Sequence, residues 1–245
     1  MNRIKKVLKK AYDIPLSKEK EAFLQRLNFP KSSYKDFFIY QISYIQKRVW
    51  ILSTALIGLI LMLLHFENIT GDALKIIWIT SSVLPFIALV AITEISRSMS
   101  HNMAEIEMSC RYNLADLMLA RISILAAFNF ILSNILILGI QGKTAYSPIR
   151  ISLYIFVPFL LTCLASLIVL NYIKIKETTY ICGGISCFIS GINALIIGSN
   201  QIAYTDKFVG FWVIIFIALM VGIIVEIIDF IRKLEELHWN LQLTA

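Results

Sequence analysis

The sequence predicts an all-α, polytopic membrane protein: six transmembrane helices, both termini cytosolic, and an N-terminal amphipathic interface region. Three observations predict it. Of 245 residues, 58% are hydrophobic and 16% charged, with a mean hydropathy of +0.75; a soluble domain carries about 45–50% apolar and about 25% charged residues. Six stretches, at about 49–66, 76–93, 122–140, 151–170, 181–198 and 209–228, approach the roughly 20 residues that a helix needs to cross a bilayer. The basic residues then alternate from one connection to the next. Nineteen Lys and Arg fall in 1–48, 94–121, 171–180 and 229–245, and four fall in 66–75, 141–150 and 199–208. That bias places the first set, with both termini, in the cytosol of a multi-pass cell-membrane protein.

Residues 1–48 hold 12 Lys and Arg against 4 Asp and Glu. This excess accounts for the net charge of +7 as attraction to an anionic leaflet, with no nucleic-acid partner required. Ile4, Val7, Leu8 and Ala11 recur at helical spacing among Arg3, Lys5, Lys6, Lys9 and Lys10, the pattern of a basic helix on a membrane surface. Pro15 ends it, and no cleavable signal follows. A second short helix over 18–28 shows Phe23, Leu24 and Leu27 and closes at Pro30. Ser33 with Asp36 then forms a capping-box-like start for a helix carrying Tyr34, Phe37, Phe38, Tyr40 and Tyr44, aromatics suited to the headgroup zone.

Within the predicted membrane domain, 49–228, spans 2 and 4 contain Pro85 and Pro158. Thr80, Ser81 and Ser82, and Thr162 and Ser166, stand near enough to satisfy carbonyls that a proline frees. Span 5 carries a strip of small residues. Gly183, Cys187 and Gly191 share one i, i+4 row and Ser186, Ser190, Ala194 and Gly198 the next, a flat surface for helix packing inside the bundle or against a second subunit. Asn129, Ser133, Asn134 and Asn193 are the intramembrane polar groups available to bond between helices. The nearest acidic residues, Glu94, Glu226 and Asp229, fall at cytosolic ends, which argues against an ion-coupled carrier.

Several chemical motifs fail on spacing. Gly142-Lys143-Thr144 ends like a phosphate-binding loop, but the glycine required five positions earlier is Ile137. His65, His101 and His238 lie far apart without ligand-spaced partners, and Cys110, Cys163, Cys182 and Cys187 form neither a metal pattern nor a disulfide framework. Ser186 lacks the second glycine of a nucleophile elbow. No metal, cofactor or catalytic residue is therefore expected. An enzyme would need a cytosolic-face assembly from Glu94, His101, Glu105 and Glu226, and no constellation is visible there.

The connection 94–121 has no proline or glycine and is expected to be helical. Met103, Ile106 and Cys110 fall near one face and Glu105, Glu107 and Arg111 elsewhere, a short amphipathic helix. This layout resembles the six-span membrane (permease) subunits of ABC exporters of the drug- and polysaccharide-export type. The Met-Ala-Glu-Ile-Glu core is similar to the matching loop of small permease-like proteins of Gram-positive bacteria. In this chain residues 199–208 are too few for the re-entrant helices that the family inserts before span 6.

The resemblance implies that Met103, Glu105, Ile106, Glu107 and Arg111 dock onto a separate ATP-binding subunit. It also implies that the membrane subunit pairs as a homo- or heterodimer, so that hydrolysis in the ATPase moves an amphipathic or lipid-like substrate. The alternative is a membrane-tethered regulator whose segment 1–48 captures a cytosolic partner such as a sigma factor. Residues 229–245 are expected to form a cytosolic helical tail.

Overall fold

The computed structural model describes residues 34–66, 73–100, 114–141, 147–172, 178–199, 204 and 208–244. The chain divides into two compact units, Met1–Phe37 and Phe38–Ala245. Only the start of one helix is described in the first, so the account below concerns the second. Its described residues are all-α: α1 Tyr34–Tyr44, which begins in the first unit, then α2 Lys47–Phe66, α3 Ala73–Ser100, α4 Leu114–Gln141, α5 Pro148–Tyr172, α6 Thr178–Ser199 and α7 Val209–Thr244. The last six are long and apolar enough to cross a membrane, which makes the protein a polytopic membrane protein in contact with the lipid bilayer. In hydrocarbon a helix satisfies its own backbone groups, which open chain cannot do.

Each predicted span lies within one helix, but several helices overrun their spans. Nothing in 94–100 or 114–121 stops a helix, so α3 continues to Ser100 and α4 begins at Leu114. Each has 28 residues and is about 42 Å long at 1.5 Å per residue, against about 30 Å of hydrocarbon. With 36 residues, α7 continues without a break through 229–244. At the start of α5, Ser147 accepts the first turn's bonds from Arg150 N (3.0 Å) and Ile151 N (3.2 Å). Pro148 takes the first helical position, where its missing N–H costs nothing.

Side-chain pairs fix the direction of the helices. Trp50 meets Phe128 and Leu61 faces Gly139, so α2 and α4 run parallel. Tyr154 meets Trp212 and Asn171 meets Glu226, so α5 and α7 run parallel. Trp78 and Ser82 meet Ala194 and Ser190, so α3 and α6 are antiparallel. The core separates into layers along the axis. One joins Ile45, Val49, Ile95, Met118, Leu170 and Phe230 near one end; another joins Ile60, Leu64, Ile76, Leu136, Ile140 and Ile151 toward the other.

The proline-bearing helices α3 and α5 form the most extensive contact in the bundle, with α6 against both, α2 against α3 and α4, and α7 against α5 and α4. Burial follows this order: about half of the α3 and α5 spans is buried, against 6% of the α7 span. The outer surface of α7 is accordingly aliphatic, with Ile214, Ile217, Val221, Ile224 and Val225 exposed.

Glycines have two distinct surroundings. A Cβ on Gly139 would stand 2.8 Å from Leu61 Cδ2 and one on Gly222 3.2 Å from Leu164 Cδ2, whereas those on Gly183, Gly184 and Gly191 would meet nothing within 4 Å. Gly139→Leu and Gly222→Leu are therefore expected to lower the thermal midpoint of the purified protein, by overpacking worth about 1–3 kcal/mol. Gly184→Leu is expected to leave that midpoint unchanged or slightly higher, since leucine is the better helix former.

Candidate functional site

Two places in the bundle combine polar chemistry with burial: the α3–α6 seam, and the end of the bundle where α1, α3 and α4 meet. At the seam, Asn193 Nδ2 donates to Ser81 Oγ at 2.7 Å, Ser190 Oγ donates to the Ser82 carbonyl at 2.6 Å, and Trp78 Nε1 donates to the Ala194 carbonyl at 3.2 Å. Three bonds thus tie about one turn of each helix to the other. Pro85 cannot donate to the carbonyl of residue 81, and the carbonyl beside it, Ser82's, is served from across the interface. Ser81 Oγ bonds locally to the Trp78 carbonyl (3.3 Å), and near Pro158 the Thr162 hydroxyl donates to the Pro158 carbonyl (2.8 Å). Of the five hydroxyls beside the prolines, Ser81 and Thr162 bond a carbonyl, though not the one that the proline frees, while those of Thr80, Ser82 and Ser166 have no hydrogen-bond partner among the described residues; α6 supplies the contact between helices.

The small-residue strip of α6 divides along its length. Ser186 is fully buried and bonds back to the Cys182 carbonyl at 2.9 Å, while Ser190 and Ala194 make the seam just described. Gly191 and Cys187 are exposed and Gly183 is partly exposed, with open space beside both glycines. The surroundings of Gly198, and all of Met103, Glu105, Ile106, Glu107 and Arg111, lie outside the described residues. Of the intramembrane asparagines, Asn193 crosses between helices, whereas Asn134 Nδ2 turns back to the Phe130 carbonyl at 2.7 Å.

At the second place the sequence leads one to expect Glu94 to reach water or pair with Arg97 or Arg121, and the pair with Arg97 forms; Gln41 carried no such expectation. Arg121, 4% exposed, donates from Nε to Gln41 Oε1 at 3.2 Å, and its guanidinium lies 4.5 Å from the ring centroid of Tyr44. A charge this buried is stable only when bonded and paired, and the face of a tyrosine ring attracts a cation. Glu94 Oε1 accepts from Gln46 N (3.3 Å) and from Arg97 (3.4 Å). Gln46 immediately precedes α2, so the carboxylate lies against the positive end of that helix's dipole. For the bond between Arg121 and Gln41 the sequence signal was position: an arginine at the edge of an apolar run, and one glutamine within an aromatic helix.

On the same end, Asn171 Nδ2 donates to Glu226 Oε2 at 2.6 Å and to the Glu226 carbonyl at 3.1 Å, clasping α5 to α7. Asp229 pairs with Lys233 at 3.1 Å, one turn along α7. At the opposite end, Tyr154, Tyr204 and Trp212 pack with ring centroids 4.9–5.4 Å apart, and the Tyr154 hydroxyl donates to the Tyr204 carbonyl at 3.2 Å. The connection between α6 and α7 is thereby fastened to α5. Among the described residues, no three His, Cys, Asp or Glu side chains gather into a metal-binding group.

Two predictions follow from these geometries. A double-mutant cycle on Ser81 and Asn193, read by unfolding in mixed micelles, is expected to give a coupling of about 0.6 kcal/mol, the mean for hydrogen bonds between membrane helices, and no more than about 1.7 kcal/mol. The second concerns Tyr204, whose hydroxyl is buried and has no hydrogen-bond partner among the described residues. Burial, with a smaller effect of neighbouring Tyr154, pushes its pKa above the ordinary tyrosine value. The folded protein therefore resists an ionisation that the unfolded chain undergoes near pH 10. Stability from this group is full below about pH 10 and is lost as pH rises beyond it. Thermal midpoints from pH 8 to pH 11 are expected to fall in the wild type and to fall less in Tyr204→Phe.

Compared with models of protein families, with curated proteins and with solved structures, the chain matches none of them.

Proposed function

We propose that the protein is a membrane subunit of an ATP-driven exporter. It is not itself an enzyme: hydrolysis belongs to a separate ATP-binding subunit, and the spans convert it into movement of an amphipathic or lipid-like substrate. The observation that carries this reading is the architecture of α3. The helix that leads into residues 101–113 is also the one on which α2, α4, α5 and α6 pack, with a proline inside it. A push on its end would be felt by four other spans, and Pro85 gives it a place to bend.

In this reading the end of the bundle holding Glu94 and Arg121 faces the cytosol. Met103, Glu105, Ile106, Glu107 and Arg111 form the docking surface for the ATPase, and two membrane subunits complete the pathway. The outward row of α6, Gly183, Cys187 and Gly191, is where a second subunit would approach.

The test is a mild-detergent pull-down of the tagged full-length protein from its native host, with mass spectrometry of what accompanies it. A nucleotide-binding ATPase is expected in the wild type. Glu105→Lys combined with Glu107→Lys is expected to lose it by at least tenfold while membrane insertion persists. Recovery of a transcription factor instead, or an ATPase retained by the doubly charge-reversed variant, would overturn the reading.

A further inference from the structure

The outward side of α1 runs against the usual arrangement of a surface helix. Phe38, Ile39, Tyr40 and Ile42 are 40–73% exposed, while Gln41 is turned inward and buried. Residues 38–45 contain no charged side chain. A helix at an aqueous surface would present its polar side outward; this one presents aromatic and aliphatic groups. The exposed apolar surface continues directly into the membrane-spanning α2 at Ile51 and Leu52. Continuity with a surface that meets lipid, together with two aromatic rings, identifies the occupant as the boundary between phospholipid headgroups and acyl chains.

Buried Gln41, half-exposed Tyr44 and, just beyond α1, Gln46 are gripped by polar groups of two spans. Gln41 and Tyr44 hold Arg121 of α4, and the Gln46 amide holds Glu94 of α3. Arg121 lies two turns into α4 and Glu94 two turns before the end of α3, so both grips lie at the same end of the bundle.

We propose that α1 is a lipid-immersed strap latched to the ends of α3 and α4 through Arg121 and Glu94, so that its depth in the bilayer and the position of those two helix ends are one variable. Lifting α1 toward water would expose its aromatic face and uncouple a buried arginine at once. Helix ends that shift would drag the strap, and a bilayer that displaces the strap would shift the helix ends. This inference is independent of the transport reading and stands or falls on separate measurements.

The test uses the full-length chain in phosphatidylcholine–phosphatidylglycerol vesicles, with its four cysteines replaced by alanine and an environment-sensitive fluorophore on Tyr40→Cys. Quenching by lipids spin-labelled on the acyl chain, with little quenching by aqueous iodide, is expected. Strong iodide quenching, or shielding from both quenchers as a covering protein would give, would overturn the assignment to lipid. For the latch, Arg121→Ala is expected to raise iodide accessibility at position 40 at least threefold. Gln41→Leu combined with Tyr44→Leu cuts the same contacts from the strap and leaves the arginine in place, which guards against a variant that misfolds. In that double variant spin labels at positions 40 and 119 are expected to show a broadened distance distribution. Unchanged accessibility and an unchanged distribution in the double variant would overturn the latch.

Discussion

The packing of α3 against α5 is the contact on which the remaining structure depends. Lipid provides no hydrophobic drive for one membrane helix to leave it for another, so association rests on close packing and on bonds between helices. At the centre of this bundle both are present. The α3 and α5 spans are the most buried, and α3 presents Ser81 and the Ser82 carbonyl to α6. The other helices are placed by these two: α2 on α3, α6 across both, and α7 on α5 and α4. The two helices that contain proline are thus the two most extensively packed, which supports a bend in either.

The two ends of the bundle are held by different chemistry. At one, aromatic packing of Tyr154, Tyr204 and Trp212 fastens a connection whose partners are neutral. At the other, charged and amide groups do the fastening: Arg121 with Gln41 and Tyr44, Glu94 with Gln46, Asn171 with Glu226. Packed rings tolerate few rearrangements. The polar contacts are buried too, with Arg121 4% and Glu94 and Asn171 each 7% exposed, so breaking one leaves a buried polar group unpaired. The polar end is also the end from which α3 leads into residues 101–113.

The strip of small residues on α6 is used in part inside the chain. Small residues at helical spacing mark a surface where backbones can approach, and such a surface has no built-in address. Ser186, Ser190 and Ala194 are turned into the chain, whereas Gly191 and Cys187 face out of it. Asn193, beside the strip, bonds the Ser81 hydroxyl of α3 side chain to side chain at 2.7 Å. A hydroxyl or amide bonded to another helix in hydrocarbon is worth more than an absent side chain, so the polar members of the row decided which way the helix turned.

What the sequence determined by itself was local. Six apolar runs of sufficient length gave six helices, because in hydrocarbon each run must satisfy its own backbone, and Ser147-Pro148 set the start of α5 in the same way. What only the tertiary structure decided was the facing of each helix. Lipid and protein interior are equally apolar, so the periodicity that would orient a helix in water is nearly silent here, and α7 can be strongly apolar while 6% of its span is buried. The orienting contacts join residues far apart in the chain: Gln41 with Arg121, Ser82 with Ser190, Asn171 with Glu226. Each of these side chains has an ordinary local context, and its partner is chosen by packing that no short window of sequence contains.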